Sequence, residues 1–243
     1  LIRIYFTIFG GIDLFEGMAV REVLMGLAIV AMAAGSLVAV FQNNVKRMLA
    51  YSSIAQIGYM VLGISIASVT GLTGGIIHLF NHALMKGALF LALGCVVLRL
   101  GTVTLHDLDG IGRRMPLTMA AFVVGGLSLI GVPGTVGFVS KWFLVLGALD
   151  KGLYLVAFLI LASSLLAVVY VWRVVEIMYF QSSSPGPARE EAPLSMLIPT
   201  WLLISATIYF GLDTDLTAGV ASRAAQYLPV SYTHLTLPTN REV

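Results

Sequence analysis

The chain has 243 residues, 58% hydrophobic and 11% charged. Soluble domains carry about a quarter charged residues, so this composition excludes a water-soluble globule and points to a membrane protein. A net charge of +2, without a basic or acidic tail, excludes a nucleic-acid surface. The single cysteine, Cys95, sits in an apolar run, which excludes an internal disulfide and a cysteine-rich metal or iron–sulfur site.

The opening "LIRIYFTIFGG" has no initiator Met, no basic leader and no small-residue cleavage site. It reads as the second half of a span belonging to a longer chain, not as a signal peptide. A bilayer core requires about 20 apolar residues per helix. On that basis spans are expected over residues 1–10 (partial), 22–41, 47–68, 72–99, 117–149, 153–180 and 194–211. Residues 1–212 are therefore expected to form one transmembrane domain, an all-α polytopic helix bundle. The stretch "DTDLTAGVASRAAQYL", within 213–230, reads as an interfacial amphipathic helix. Residues 231–243, "SYTHLTLPTNREV", are polar and aperiodic and are expected to be a non-native tail.

The basic residues fall in alternate connections: Lys46 and Arg47, then Arg99, Arg113 and Arg114, then Arg173 and Arg189. By the positive-inside rule these connections face the cytoplasm.

The segment 117–149 is too long for one straight crossing, since at 1.5 Å per residue it would extend about 50 Å against a core of about 30 Å. Its centre reads "GVPGTVGFVSK". Gly131, Pro133, Gly134 and Gly137 predict a break there, because proline removes a backbone donor and clashes with the preceding turn. Unwound backbone at membrane depth is tolerated only where it is buried in protein or lines a wet cavity, and discontinuous helices build ion sites in transporters. Lys141 falls just past the expected break.

A second polar feature is "HLFNHALMKG", residues 78–87, between uncharged flanks. His78, His82 and Lys86 recur every four residues, so they lie on one stripe of a helix over about 12 Å. An intramembrane lysine costs at least about 2.5 kcal/mol and turns toward a bundle interior or cavity. Histidine populates both protonation states near neutrality and can take a proton on one nitrogen while releasing it from the other. Together the three read as part of a hydrated proton wire. One histidine alone would be explained by a helix–helix hydrogen bond. No metal site is expected, since the stripe has no carboxylate and its next member is a lysine.

Other polar residues are read more plainly. Lys46 and Arg47 begin a helix at the membrane boundary, where topology accounts for them. Arg173 and Glu176, one turn apart, are expected to form an i, i+3 ion pair. Ser52, Ser53, Gln56 and Tyr59 either hold a water path or join helices. Lys46, Ser53, Gln56, Arg173 and Glu176 are kept as accessory candidates. Asp107 and Asp109 are expected to be solvated.

The stretches "NVKRMLAYSSIAQIGYMVLGI", "HLFNHALMKGALFLALG", "DLDGIGRRMPLTMAAFVVGGLSLIGVPGTVGFVSKW" and "VVYVWRVVEIMYF" resemble, in this order, the C-terminal half of the proton-conducting antiporter-like membrane subunits. That family includes subunits of respiratory complex I, of membrane-bound hydrogenases and of Mrp-type sodium/proton antiporters. The resemblance implies two inverted helical repeats, each with a broken helix, of which this chain holds the second. It implies that Lys141 is the terminal proton-gating residue of a half-channel, and that His78, His82 and Lys86 link the two half-channels. The residues of the first repeat would lie upstream of Leu1, so this chain is not expected to pump alone. In many large relatives the gating lysine is followed by aspartate; here the motif is "SKW". With "NHALMKG", that resembles the Mrp D subunit or the closely similar complex I subunits. "QNNVKR" lacks the acidic residue that commonly precedes its lysine.

The expected function is therefore a proton-translocating subunit of an Mrp-type cation/proton antiporter in the bacterial inner membrane. Its partners would be other membrane subunits and lipid, and its cargo protons with Na+ as the exchanged ion. The alternatives are a proton-pumping subunit of an NADH:quinone oxidoreductase or membrane-bound hydrogenase, and a structural scaffold. "GLTGG" and "GTVTLHDLDG" lack the spacing of a nucleotide fingerprint, so no cofactor is expected and any redox chemistry belongs to partners.

Overall fold

The computed structural model describes residues 20–180 and 190–228. The expected partial span 1–10, Arg189 and the tail 231–243 lie outside the described residues. The fold is an all-helical bundle: α1 Val20–Val40, α2 Val45–Ser65, α3 Val69–Leu100, a 3-10 turn Leu105–Leu108, α4 Ile111–Arg114, α5 Pro116–Ile130, α6 Val136–Asp150, α7 Tyr154–Phe180, α8 Leu194–Leu212 and α9 Asp215–Gln226. Five of these, α1, α2, α3, α7 and α8, are long and apolar enough to cross a membrane. The expected spans 22–41, 47–68, 72–99, 153–180 and 194–211 correspond to them within a few residues.

Helix ends follow local chemistry. Asn44 caps α2 by accepting from Arg47 N at 3.1 Å, and Ser68 caps α3 by accepting from Gly71 N at 2.9 Å; each satisfies an amide with no intrahelical partner. Helix α3 stops at Gly101, whose left-handed φ of +73° suits a C-cap. Pro116 opens α5, where its missing N–H costs nothing. Two consecutive donors of that first turn, Leu117 N and the Thr118 hydroxyl, reach the carboxylate of Glu191. The negative charge there also complements the helix dipole.

The long α3 is the hub, packing against α2, α5, α6, α8 and α9. Its approach to α2 is close enough that a methyl on Gly63 would lie 2.7 Å from the Cα of Gly75. Small residues at such seams let membrane helices gain packing and interhelical hydrogen bonds. The apolar side chains left exposed, including Leu27 and Val30 of α1 and Leu155, Phe158 and Leu165 of α7, form the outer surface.

The connections carrying Lys46, Arg99, Arg113 and Arg114 come together at one end of the bundle. There Val45 N donates to Val103 O, Leu105 N to Asn43 O and Gly110 N to Ile177 O. Helix α9 lies at the other end, with Ala225 packed among Ile64, Leu72 and Val20. The 213–230 segment thus contains a helix, with Leu216 and Val220 exposed.

The span 117–149 is interrupted, as α5 ends at Ile130 and α6 begins at Val136. Gly131 and Gly134 have φ of +96° and +85°, a region that disfavours residues bearing a Cβ. One expectation is corrected: Gly137 lies in the first turn of α6, not in the break. A methyl there would fall 1.7 Å from Ser128 O. Its role is close approach of the two half-helices.

Candidate functional site

The break leaves unused acceptors inside the bundle. The N–H groups of Gly131 and Val132 both turn back to Leu127 O, at 3.0 and 3.1 Å. The carbonyls of Leu129 and Ile130, at the C-terminus of α5, therefore find no amide in the next turn. Lys141 supplies the donor: its Nζ lies 2.9 Å from Leu129 O and 2.7 Å from Ile130 O. The lysine is only 6% exposed. The negative end of the α5 dipole favours a cation at this point.

His78, fully buried on α3, bridges two helices. Its Nδ1 lies 2.8 Å from Ser140 Oγ of α6, and its Nε2 lies 3.0 Å from Gln56 Oε1 of α2. An amide oxygen only accepts, so with the amide in this orientation Nε2 carries the ring proton and Nδ1 accepts from the serine hydroxyl. Tyr59 stands between His78 and Lys141. Its ring centroid is 5.3 Å from the imidazole centroid and 5.1 Å from the Lys141 Nζ. The tyrosine hydroxyl donates to Ile160 O of α7 at 3.3 Å.

Lys86 lies two turns further along α3 and is also buried, with Nζ donating to Leu49 O at 2.6 Å and to Ser52 Oγ. The hydroxyl of Tyr170 is buried without a hydrogen-bond partner among the described residues. His82, between His78 and Lys86, is half-buried, and its Nδ1 has no partner. Among the described residues the ion pairs are His106–Asp107 and Arg114–Glu190, in the connections. The buried lysines are held by neutral oxygens.

The accessory candidates separate. Gln56 is at the site through His78. Ser53 is half-buried and bonds only Leu49 O of its own helix, at 3.0 Å, whereas its neighbour Ser52 meets Lys86. Lys46 is exposed at the start of α2.

The expected Arg173–Glu176 ion pair does not form. Arg173 reaches Val40 O at 2.9 Å, Gln42 O at 3.5 Å and Asn43 Oδ1 at 2.9 Å, while Glu176 is exposed. The free carbonyls ending α1 offer a guanidinium several fixed acceptors, which an exposed carboxylate one turn away does not match.

Three site residues were not anticipated, one of them Ser140, whose Oγ meets His78 Nδ1 at 2.8 Å. Asn81 Nδ2 donates to Val136 O at 2.5 Å, bracing the start of α6, and Ser128 Oγ accepts from Gly137 N at 3.3 Å. Asn81 falls three residues after His78, so the polar stripe carried a signal for it. Ser128, alone in an apolar run, gave none.

Apolar spans, a broken helix and a buried lysine on the carbonyls of that break define a multi-pass, antiporter-like membrane subunit. Residues 3–167 match the family described as NADH:quinone oxidoreductase/Mrp antiporter, TM, and the chain belongs to it. It is 42% identical over 219 residues to NADH-quinone oxidoreductase subunit N of Desulforudis audaxviator (strain MP104C), a match covering 85% of this chain and 43% of that protein. It is 28% identical over 210 residues to the D subunit of the Na(+)/H(+) antiporter of Bacillus subtilis (strain 168), covering 86% of this chain and 42% of that one. The fold is similar to a chain of the Mrp complex from Dietzia sp. DQ12-45-1b, with a TM-score of 0.80 and 26% identity, over 88% of this chain and 48% of that one. The chain spans less than half the length of the curated relatives it matches. Those relatives are subunits of multisubunit membrane complexes, and this chain is a membrane antiporter-like subunit of the Mrp or complex I type.

Proposed function

We propose that this chain forms part of a proton-translocating subunit, with Lys141, His78, His82 and Lys86 as the groups that carry protons. The observation behind this reading is that Lys141 and His78 share the ring of Tyr59 while Lys86 is buried in the same α2–α3 seam. A lysine bound by neutral oxygens can give up its proton without stranding a buried carboxylate. A histidine with a hydroxyl on one nitrogen and an amide on the other exchanges protons through its two sides. The exposed basic end would face the cytoplasm of a bacterial cell.

Among the complexes, a quinone oxidoreductase of the subunit N type is favoured by the 42% relative. The Mrp antiporter is the second reading, supported by the similarity to the antiporter's D subunit and by the Mrp fold match. In either case any redox chemistry belongs to other subunits.

The test is Lys141→Ala in the full-length protein, assembled with its partners in proteoliposomes carrying a pH-sensitive dye. Coupled proton movement should fall to the leak rate with assembly intact. Undiminished pumping by that variant would remove Lys141 from the pathway. A Na+ requirement for the flux would favour the Mrp reading over the oxidoreductase.

A further inference from the structure

An apolar groove of about 250 Å³ lies at the α9 end of the bundle. Its walls include Ile76, Ile77 and Phe80 of α3, Phe210 of α8, and Leu216 and Val220 of α9. Phe210 meets Phe80 edge-on, with ring centroids 5.3 Å apart, which ties α8 to α3 along the groove. Phe80, Leu216 and Val220 are exposed, as are Tyr209 and Leu212 of α8, so the groove continues the apolar outer surface. The hydroxyl of Thr217, also in the wall, is committed to Thr214 O at 3.3 Å. The volume falls below the range of about 300–1,000 Å³ that takes a whole small ligand. A single hydrocarbon chain suits such a slot.

The charge beside the groove suits the head of such a chain. At 100° per residue, Arg223 stands within about 20° of Leu216 and about two turns further along α9. It is exposed, its Nε donates to Gly219 O at 3.2 Å, and among the described residues no carboxylate pairs with it. A guanidinium fork matches the oxygens of a phosphate. Asp215 stands about 12 Å from Arg223 along the helix axis, so the two ends of α9 differ in charge and a phosphate is drawn to the Arg223 end. Tyr227, one turn beyond, is exposed, as suits a residue at headgroup level. The start of α1 does not contest the groove. Val20 packs with Ala225, which lies about two and a half turns from Leu216 and so on the opposite side of α9.

We propose that this groove holds one acyl chain of an anionic phospholipid whose phosphate is bound by Arg223. An anionic headgroup neutralises the guanidinium, whereas a zwitterionic one brings a second cation beside it. The bound lipid braces α9 against α8 and against the stretch of α3 that leads into His78. This inference is independent of which groups carry protons.

The experiment uses the full-length protein in its assembled complex, in phosphatidylcholine nanodiscs with a small fraction of phosphatidylglycerol bearing a diazirine on one acyl chain. Adducts formed on illumination are mapped by peptide mass spectrometry. Adducts at Phe80, Phe210, Leu216 and Val220 should form several-fold more with this probe than with its phosphatidylcholine analogue, and unlabelled phosphatidylglycerol should displace them. Adducts elsewhere on the apolar surface should show neither preference nor saturation. Val220→Trp, which fills the groove from an exposed position, should abolish the groove adducts and spare the others. Arg223→Gln should remove the headgroup preference. If Val220→Trp does not assemble, the wild-type competition and Arg223→Gln decide. Equal yields with both headgroups would mean ordinary boundary lipid and overturn the proposal. So would a lack of groove adducts, the result expected if chain upstream of α1 covers the site. Displacement by a long-tailed quinone but not by phosphatidylglycerol would also overturn it.

Discussion

Gly137 passes so close to Ser128 that a methyl group would meet the Ser128 carbonyl oxygen at 1.7 Å. This contact sets the distance between the half-helices α5 and α6, and so holds Lys141 over the carbonyls it bonds. The obstacle is main chain, which cannot rotate away as a side chain would. Gly137→Ala should therefore destabilise the protein at the upper end of the overpacking range, about 3 kcal/mol or more. Gly26→Ala, with nothing within 4 Å of the added methyl, should be neutral or stabilising. Melting temperatures of the two variants in detergent check the contrast.

Ser52 and Ser53 are adjacent, yet only Ser52 meets Lys86. If the Lys86 contact carries function, Ser52→Ala should slow proton flux several-fold and Ser53→Ala should leave it unchanged. Flux per assembled complex is the quantity to compare. Equal effects from both would separate Lys86 from Ser52.

The two histidines should respond differently. His78→Ala leaves Gln56 Oε1 and Ser140 Oγ without their buried partner, at a cost of about 1–3 kcal/mol. His82 has no partner to abandon through Nδ1, so His82→Ala should slow transport while leaving the unfolding midpoint nearly unchanged. Unfolding curves and flux on the same samples test both halves of this statement.

Arg173→Ala removes hydrogen bonds to the end of α1 and to Asn43, and should cost about 1–2 kcal/mol, within the range for bonds to charged groups. Glu176→Gln should be silent. The double variant should show a coupling energy near zero, whereas a coupling of several tenths of a kcal/mol would restore the ion pair expected from spacing.

At the basic end, hydrogen bonds from Thr104 and Thr102 hold the Asp107 carboxyl below its ordinary value of 3.8. A depressed carboxyl stabilises the folded corner above its unfolded value and loses that contribution as pH falls through the folded one. Thr104→Ala should move the Asp107 titration upward, toward that ordinary value, as read by NMR of a labelled carboxyl.

Much of this architecture is local and was visible in order along the chain. Apolar runs of the required length marked the membrane helices, and the cluster of Gly131, Pro133 and Gly134 marked the break, because backbone conformation there depends on the residues themselves. The four-residue spacing likewise put His78, His82 and Lys86 on one helix.

Partner choice is different, because it depends on where other helices lie. Spacing paired Arg173 with Glu176, but packing α7 against the end of α1 offered the guanidinium fixed carbonyls instead. Spacing ranked Ser53 with Gln56, but the α2–α3 contact selected Ser52. Sequence alone established that charge is retained at bilayer depth beside an interrupted helix. Only the tertiary structure decided that Lys141 rests on the neutral carbonyls of Leu129 and Ile130, since a main-chain carbonyl becomes an unmet acceptor only once the chain around it has folded.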